Sequence, residues 1–401
     1  MNILIATTSF PDSRNNDFGG KFVLNEAMAY ALNAASVRVV TPHQPGALKK
    51  ERLHEHLQVL RFRYFLPTRL QRLKIPNKPM YGQRSPLSLF QIPLLLAVFA
   101  LQLLRHGPWA DVIHCQWTLT ALLALPCKWL FRKKVVLTAR GSDIRLLPGI
   151  VNRFIHARVD AVIDCYGDQK WTTEYKRNFP ANHIKLPLIV DRTVTASDRM
   201  PPDMSEALKA GDDVFNIIYL GRFDQVKLDD GLPILTLIEA ARILDRDHDN
   251  FHIFFIGDGD AHIKAAMTDR VKQYRLDHCI TFLGAKKNVN SYLQFCDLGV
   301  GGISFNAVSQ EFSGLKKAQL LFLGGYNQET PWKDKINTLF VEPENIPGLA
   351  EAITYAMADK VRLKEIGNRA YQLVERYVND LNKGGAVYLQ AFFDVLTEGR
   401  K

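Results

Sequence analysis

The chain has 401 residues, enough for two domains with full-sized cores, and its charge is divided unevenly between its halves. The net charge is +10, but residues 1–200 hold 28 basic and 13 acidic side chains, whereas residues 201–401 hold 23 and 28. The first half therefore predicts an anionic partner. Because it carries no aromatic–basic nucleic-acid motif, an anionic membrane surface is favoured and nucleic acid is not expected.

Short apolar segments alternate with helical stretches in the first half of the chain. Strands are predicted at 2–7, 37–41, 111–114, 134–138 and 161–164. Such alternation is typical of a parallel sheet covered by helices on both faces. The five cysteines lack the spacing of a zinc site, and the first residues read as a strand rather than a signal peptide, so we expect a cytoplasmic protein.

An apolar run at 87–104 raises the question of a membrane helix. Pro93 predicts a break that leaves ~12 helical residues, or ~18 Å, which is short of a ~30 Å hydrocarbon core. A buried or interfacial helix is therefore expected. The preceding segment, RFRYFLPTRLQRLK (61–74), mixes arginine with aromatic and aliphatic residues, which is typical of a membrane-surface patch; a solvated loop with core anchors is the alternative.

The alternation of strands and helices restarts after residue 210. Strands are predicted at 216–220, 252–256, 280–283 and 298–301, with helices at 234–244, 261–274 and 315–323 and a last helix after a break at Gly384-Gly385. The sequence thus predicts two doubly wound α/β domains, 1–190 and 214–378, joined by a linker at 191–213. The C-terminal helix in 379–401 is expected to pack back on the first domain.

Ligands of open α/β sheets bind beyond the carboxyl ends of the strands, where this chain carries several candidate residues. Gly19-Gly20 stands before a helix, where paired glycines allow close backbone approach and free N–H groups suit an anion; a bare turn is the alternative. Arg222 and Lys227 follow strand 216–220 and could converge on a diphosphate; two solvated cations are the alternative. The absence of a GxGxxG motif argues against a dinucleotide enzyme.

Three residues of the first half are candidates for a cleft or an acceptor site. Arg140 and Asp143 follow strand 134–138, and His114 ends strand 111–114. The alternatives are an ordinary turn in which Asp143 caps a helix, and a hydrogen-bonded core histidine.

The stretch QEFSGLKKAQ (310–319) predicts a compact polar site. Glu311 is expected in a loop before the helix at 315–323, and Gln319 within that helix. A carboxylate accepts hydrogen bonds from sugar hydroxyls, whereas the N–H groups at a helix start suit a phosphate.

In this order and spacing, the motifs resemble those of retaining glycosyltransferases of family 4, and the resemblance runs nearly the whole length of the chain. The matching positions are Gly19-Gly20, Gly221-Arg222 with Lys227, the Gly-Asp-Gly at 257–259, ITFLG at 280–284, Tyr292 with Asp297, and Glu311 with position 319 for the family's Glu-seven-residues-Glu signature. The resemblance implies a GT-B fold, in which two Rossmann-like domains face each other across a cleft.

The resemblance also implies roles. Arg222 and Lys227 would hold the diphosphate of a nucleotide-sugar donor and stabilise the leaving phosphate, which needs no metal or other cofactor. Glu311 would bind hydroxyls of the donor sugar, and Gln319 the ribose. Further donor-binding positions would be Gly19, Gly20, Gly221, Gly257, Phe312, Ser313, Gly314 and Leu315.

Three positions depart from the family pattern: Gln319 replaces a glutamate, Phe312 a glycine, and Arg140 the histidine of a His-Gly pair. The predicted function is transfer of a sugar to a glycan or lipid-linked acceptor in cell-surface polysaccharide synthesis, by a cytoplasmic enzyme peripheral to the membrane. Two alternatives stay open: a non-catalytic GT-B homologue that partners an active transferase, and a GT-B nucleotide-sugar epimerase.

Overall fold

The computed structural model describes most of the chain in two compact units. The described residues are 1–12, 19–73, 86–139, 147–164, 182–186, 188–189, 199–208, 214–225, 228, 233–302, 307–322, 332–375 and 381–397. The first unit comprises Met1–Gly167, Thr172–Asp191 and Asn379–Lys401, and the second comprises Asp168–Trp171 and Arg192–Val378.

The first unit is built on a sheet that, in the described residues, has eight strands in the order β3-β4-β2-β1-β5-β6-β7-β8. The strands are β1 Asn2–Ala6, β2 Ser36–Pro42, β3 Lys50–His54, β4 Leu57–Phe62, β5 Val112–Gln116, β6 Lys134–Thr138, β7 Ala161–Asp164 and β8 His183–Lys185. All neighbours are parallel except β3, which pairs antiparallel with β4. The helices before the second unit are α1 Lys21–Leu32, α2 Pro86–His106, α3 Thr118–Phe131 and α4 Gly149–His156.

The second unit is built on a sheet that, over the same described ranges, has six parallel strands in the order β11-β10-β9-β12-β13-β14. The strands are β9 Phe215–Leu220, β10 Phe251–Ile256, β11 Ile280–Gly284, β12 Leu298–Gly302, β13 Ala318–Phe322 and β14 Leu339–Val341. The helices are α5 Pro202–Ser205, α6 Thr236–Leu244, α7 Ala261–Tyr274, α8 Asn290–Leu293, α9 Ala307–Gly314, α10 Ile346–Ala358 and α11 Lys360–Glu375. A last helix, α12 Leu381–Thr397, belongs to the first unit.

The predicted strands of both halves are present, but the sequence missed β3, β4, β8, β13 and β14. The helix expected at 315–323 is wrong. The chain forms α9 earlier and then enters β13, whose five residues AQLLF are all buried between β12 and β14 of the second sheet. A short, continuously apolar run suits a buried strand and a buried helix equally, so periodicity alone could not choose between them.

Part of the segment expected to be a linker packs on the second unit. Met204 of α5 is fully buried in a cluster with Ile218 and Phe254. Beside it, the Tyr292 hydroxyl donates a hydrogen bond to Asp203 at 3.0 Å. Residues 199–208 are thus tied to the sheet of the second unit by both apolar and polar contacts.

The break expected at Pro93 does not occur. Helix α2 continues through the proline and has 21 residues in all. Proline removes one backbone donor, but the neighbouring turns keep theirs, and the helix reaches about 32 Å. Among the described residues one helical segment, Pro86–Trp109, is long and apolar enough to cross a membrane, with a mean hydropathy of 2.2.

The basic segment before α2 is only partly a surface feature. Arg61 lies in β4 and is buried, with its guanidinium 2.7 Å from the Glu51 carboxylate and a hydrogen bond to the Pro11 carbonyl. Arg63, Arg69 and Arg72 are exposed. The membrane-surface interpretation of 61–74 therefore loses Arg61, which serves the fold, and keeps the three exposed arginines.

The break expected at Gly384-Gly385 is also absent, because both glycines lie within α12. A Cβ added to Gly385 would stand 2.2 Å from the Ala29 carbonyl oxygen of α1. The two helices therefore approach closely at this point, and Tyr30 packs against Tyr388 and Phe392 with ring centroids 5.8 and 5.5 Å away. The glycine allows close packing rather than ending the helix.

Replacing Gly385 with alanine is expected to lower the stability of the first unit by about 1–3 kcal/mol, because the added methyl group meets the backbone of α1. Gly149→Ala is the matched control, since that helical glycine has nothing within 4 Å of the added carbon. Thermal unfolding followed by circular dichroism should separate the two variants. Equal melting temperatures would mean that α12 is not held closely against α1.

Candidate functional site

Glycines line the carboxyl ends of the central strands of the second sheet. Gly257, at φ 155°, follows β10, and a Cβ there would lie 1.8 Å from the Gly221 carbonyl oxygen. Gly301, at φ 142° near the end of β12, would place a Cβ 2.5 Å from the Leu220 carbonyl oxygen. Only glycine fits such backbone crossings. The edge where a ligand of this sheet would bind is therefore formed largely by main chain.

The segment after β9 is hydrogen-bonded to the turn after β10. The Gly221 N–H donates to Ile256 at 3.1 Å, the Phe223 N–H donates to Asp258 at 3.1 Å, and the Asp260 N–H returns a bond to Phe223 at 2.8 Å. Gly221, Arg222 and Gly257, all singled out from the sequence, are thus brought together at one sheet edge.

Arg222 places a cation at this edge. Its guanidinium lies 3.1 Å from the Asp224 carboxylate, and the side chain remains 47% exposed. A guanidinium has five N–H donors, so it can keep this partner and still bind an anion in the planar, two-bonded manner that suits phosphate. Lys227, its expected partner, lies outside the described residues.

Sequence reasoning missed Tyr219, a buried residue of β9 beneath Gly221. A Cβ on Gly221 would lie 2.9 Å from the Tyr219 hydroxyl, which has no hydrogen-bond partner among the described residues. Burial raises the pKa of this hydroxyl, and Asp224 adds to the rise while Arg222 opposes it. The phenol therefore stays neutral, and it packs against Gly221 on the buried side of the glycine edge. Its only signal was a tyrosine within the mostly apolar strand FNIIYL.

Glu311 lies on helix α9 and not in a loop, and it is partly buried. Its neighbour Phe312 is 1% exposed, and its ring sits where a side chain on Gly299 would stand, 2.4 Å from the added carbon. Phe312 is therefore a core residue that anchors α9 to β12, and the expectation that it meets the ligand is wrong.

The N–H groups of Ser313, Gly314 and Leu315 stand at the end of a helix and not at its start. Leu315 N–H donates to Phe312 at 3.1 Å, and the chain then turns at Lys316, whose φ of 59° ends the helix. The carboxyl end of a helix carries partial negative charge, which repels an anion. The expectation that these N–H groups begin a helix is therefore wrong, and their contact with a donor stays a prediction.

Gln319 is the second residue of β13 and is 1% exposed. Its register partner Gly299 is level with Ile218, three residues before Gly221, so Gln319 lies roughly 10 Å back from the glycine edge. Its amide donates to the Ser309 carbonyl at 3.2 Å and to the Ser313 hydroxyl at 2.9 Å. Gln319 joins β13 to α9, and the predicted ribose contact is wrong.

In the first unit, Gly19-Gly20 lies where the sequence placed it, immediately before α1. Gly20 has φ 85°, and a Cβ there would stand 2.4 Å from the Ser9 carbonyl oxygen. This close approach sets the amino end of α1 beside the carboxyl end of β1. It is the edge at which the first sheet would bind a ligand.

His114 is a core residue and not a cleft residue. It is fully buried, with one ring nitrogen 2.7 Å from the Thr138 hydroxyl and the other 3.3 Å from the Tyr30 hydroxyl. The expectation of an acceptor contact is wrong because both nitrogens already have partners in the core. Arg140 and Asp143 lie outside the described residues.

A buried carboxylate beside His114 was also missed. Gln116, the last residue of β5, donates its amide to Glu26 of α1 at 2.6 Å, and both side chains are fully buried. This pair fixes α1 to the carboxyl end of β5. The sequence did not show that Glu26 is buried, because one acid within the helix KFVLNEAMAYAL could equally face water.

One group of possible metal ligands occurs in the described part of the chain: Asp245, His278 and Cys279, whose ligand atoms lie within 4.8 Å of one another. Burial raises the pKa of the Cys279 thiol to about 12, so the thiol is protonated at neutral pH when no metal is bound. The group stands at the amino end of β11, opposite the glycine edge, and thus has no place in chemistry at that edge.

Sequence comparisons do not assign the chain to a family. No protein-family model matches it, and no curated protein does so either.

Solved structures, in contrast, match the chain over nearly its whole length. Sucrose-phosphate synthase from Thermosynechococcus elongatus matches with a TM-score of 0.74 and 17% identity, covering 98% of this chain and 99% of its own. HepE from Anabaena, solved in complex with UDP and glucose, matches at 0.70 and 17%, covering 97% and 98%. Trehalose-6-phosphate synthase OtsA matches at 0.68 and 13%, covering 98% and 99%. The protein has the GT-B fold of these glycosyltransferases, with a parallel or mostly parallel sheet in each of its two units.

Proposed function

We propose that this protein is a glycosyltransferase that uses a nucleotide sugar as its donor. The observation that carries the proposal is the glycine edge of the second sheet, with Arg222 beside it. A main-chain floor lets a diphosphate approach closely, and the guanidinium supplies the charge that binds it. The fold supports the same conclusion, since HepE, which shares it, was solved in complex with UDP-glucose.

Arg222 and Lys227 would act on the leaving group. As the bond between the sugar and the diphosphate breaks, negative charge grows on the phosphate oxygens. Cations already in position stabilise this charge without reorganisation, so no metal is required. Glu311, the partly buried acid on the helix that follows β12, would accept hydrogen bonds from hydroxyl groups of the donor. We further propose a retaining reaction, as in family 4.

The acceptor would bind to the basic first unit. Its excess of arginine and lysine supports an anionic or lipid-linked glycan as the acceptor and a location on the cytoplasmic face of a membrane. Such a reaction would serve the assembly of cell-surface polysaccharide.

Two departures from the family pattern do not weigh against catalysis. Gln319 and Phe312 are buried in the packing between α9, β12 and β13, so neither substitution removes a group from the glycine edge. A non-catalytic homologue and an epimerase nevertheless make different predictions, which one set of assays separates.

The proposal is tested with a panel of UDP-, GDP- and ADP-sugars. At a ligand concentration about 100 times its Kd, the folded protein should gain roughly 2.7 kcal/mol of stability, seen as a raised melting temperature. The same donor should release its nucleoside diphosphate in the presence of a glycan acceptor. Binding without release would favour the non-catalytic homologue, and conversion of the free nucleotide sugar to its epimer would favour the epimerase. If no donor binds at all, the proposal fails.

A further inference from the structure

Three helices of the first unit, α2, α3 and α4, present large apolar side chains to solvent. In the described residues, α2 packs beside α3, and α3 packs beside α4. Side chains that are more than half exposed are Leu89, Phe90, Leu101, Trp129, Leu130 and Ile150. Exposed apolar surface concentrated on adjoining elements marks an interaction site, whereas single exposed residues do not. We call the outer surface of these helices the three-helix face.

Helix α2 differs from an ordinary surface helix, because its outer side is apolar as well as most of its buried side. The stripe it buries includes the polar residues Ser88 and Gln91, while its outer side is apolar. The Gln91 amide donates to the Leu70 carbonyl at 2.7 Å, and its oxygen accepts from the Arg72 N–H at 2.9 Å. These bonds explain the buried glutamine. On the opposite side Phe90 touches Phe65, with ring centroids 6.5 Å apart, and yet remains 64% exposed. A water-exposed helix usually carries polar residues on this side.

Charge identifies the surface that would cover this face. Residues 61–158, which contain all three helices, hold sixteen lysines and arginines but two acids. Exposed arginines lie at the margins of the three-helix face. They are Arg69 and Arg72 on the segment tied to α2, Arg132 after α3, and Arg153 on α4. An apolar centre with a basic rim matches the acyl and anionic headgroup regions of a bilayer. A second copy of the chain would instead bring two basic rims together, which costs energy.

We infer that the three-helix face docks on an anionic lipid bilayer, with α2 lying along the interface and not crossing it. Leu95, Phe99 and Leu103 on the buried side of α2 are needed by the core, where Phe99 packs against Phe62 with ring centroids 4.8 Å apart. A spanning helix would have to leave these contacts and the Gln91 hydrogen bonds. The apolar outer side chains enter the acyl region, while the arginines bind lipid phosphates.

The inference deepens the proposed function, on which its biological purpose rests. Leu89 and Phe90 lie in the first turns of α2, which follows β4, and Ile150 lies in the first turn of α4, which follows β6. This part of the docking face therefore borders the carboxyl edge of the first sheet. An acceptor bound at that edge would reach it from the membrane through its lipid portion. The face therefore specifies a membrane-resident acceptor over a soluble one.

The test is sedimentation with vesicles of phosphatidylcholine alone or of phosphatidylcholine mixed with phosphatidylglycerol. The full-length protein should pellet with the anionic vesicles and much less with the neutral ones. The double variant Leu89→Gln, Phe90→Gln should bind the anionic vesicles at least about tenfold more weakly, because two large apolar groups no longer enter the bilayer. Leu130→Gln on α3 and the pair Arg69→Glu, Arg72→Glu should each weaken binding as well.

Val361→Gln is the matched control, because Val361 is also highly exposed but lies on α11 of the second unit. It should leave vesicle binding unchanged.

The inference is overturned if the face variants pellet like the wild type. It is equally overturned if the lipid-free protein is a dimer that these variants convert to monomers while vesicle binding persists. Donor binding, measured by nucleotide-sugar thermal shift, should be the same in all these variants. If the wild type binds no nucleotide sugar, the proposed function fails, but the vesicle result still stands.

Discussion

Replacing Arg222 with alanine is expected to lower kcat/KM for sugar transfer by about 10²–10³-fold, because the variant loses a preorganised cation at the oxygens where charge develops. The loss should appear mainly in kcat if the guanidinium contacts the leaving phosphate more strongly in the transition state than in the ground state. Stability should change little, since the side chain is 47% exposed and its ion pair with Asp224 stands at the surface. Initial rates of nucleoside diphosphate release measure the effect.

Two companion variants make this result specific. Arg222→Lys keeps the charge but loses the planar pair of donors, so its activity should fall between those of the wild type and the alanine variant. Arg270→Ala removes an arginine of similar exposure that pairs with Glu239 at 3.1 Å on α6 and α7. Its activity should equal that of the wild type. An Arg222→Ala enzyme with unaltered kcat/KM would remove the electrostatic role from the mechanism.

Replacing Gln319 with glutamate, the residue usual in family 4, is expected to destabilise the second unit by about 2–4 kcal/mol at neutral pH. The amide now donates to the Ser309 carbonyl and the Ser313 hydroxyl. A carboxylate has no proton to donate, and it would face the Ser309 carbonyl oxygen in a site that is 1% exposed. Urea unfolding measures the change, and Gln273→Glu on exposed α7 supplies the same charge without burial.

The loss of stability should depend on pH in a defined direction. Burial raises the pKa of a carboxyl group above its unfolded value of about 4.3. The folded state then binds the proton more tightly than the unfolded state, so stability is greatest below that value and falls as the pH rises through the raised pKa. A glutamate variant that is as stable as the wild type and binds nucleotide more tightly would instead restore the ribose-contact interpretation.

Local sequence patterns were sufficient to predict most strands of the two sheets. Strands such as Asn2–Ala6 and Phe251–Ile256 are short apolar runs bounded by turns and separated by helices, and both features are visible along the chain. Strand β3, with the sequence KERLH, escaped because an exposed edge strand carries little apolar signal. Strand β4 escaped because its last residues were taken for the start of a basic surface segment.

Some residues of the candidate site could likewise be predicted from local sequence, and others could not. Gly221, Arg222 and Gly257 could be found because glycine after a strand reports a backbone requirement that the sequence itself expresses. Tyr219, Glu26 and Gln116 could not, because their importance comes from burial next to segments distant in the chain. Phe312 and Gln319 were predicted to contact a ligand. In the fold, Phe312 packs against Gly299 and the Gln319 amide donates a hydrogen bond to the Ser309 carbonyl.

By itself, the sequence determined the two-unit α/β organisation, the basic character of the first half and the glycine-rich carboxyl ends of the second sheet, since these follow from composition and from the order of residues. The tertiary structure alone decided that AQLLF is a strand, that α2 passes through Pro93 and that Gly385 closes a helix contact. Each of these outcomes depends on long-range packing: neighbouring strands on both sides of β13, the core that holds α2, and the backbone of α1 beside α12.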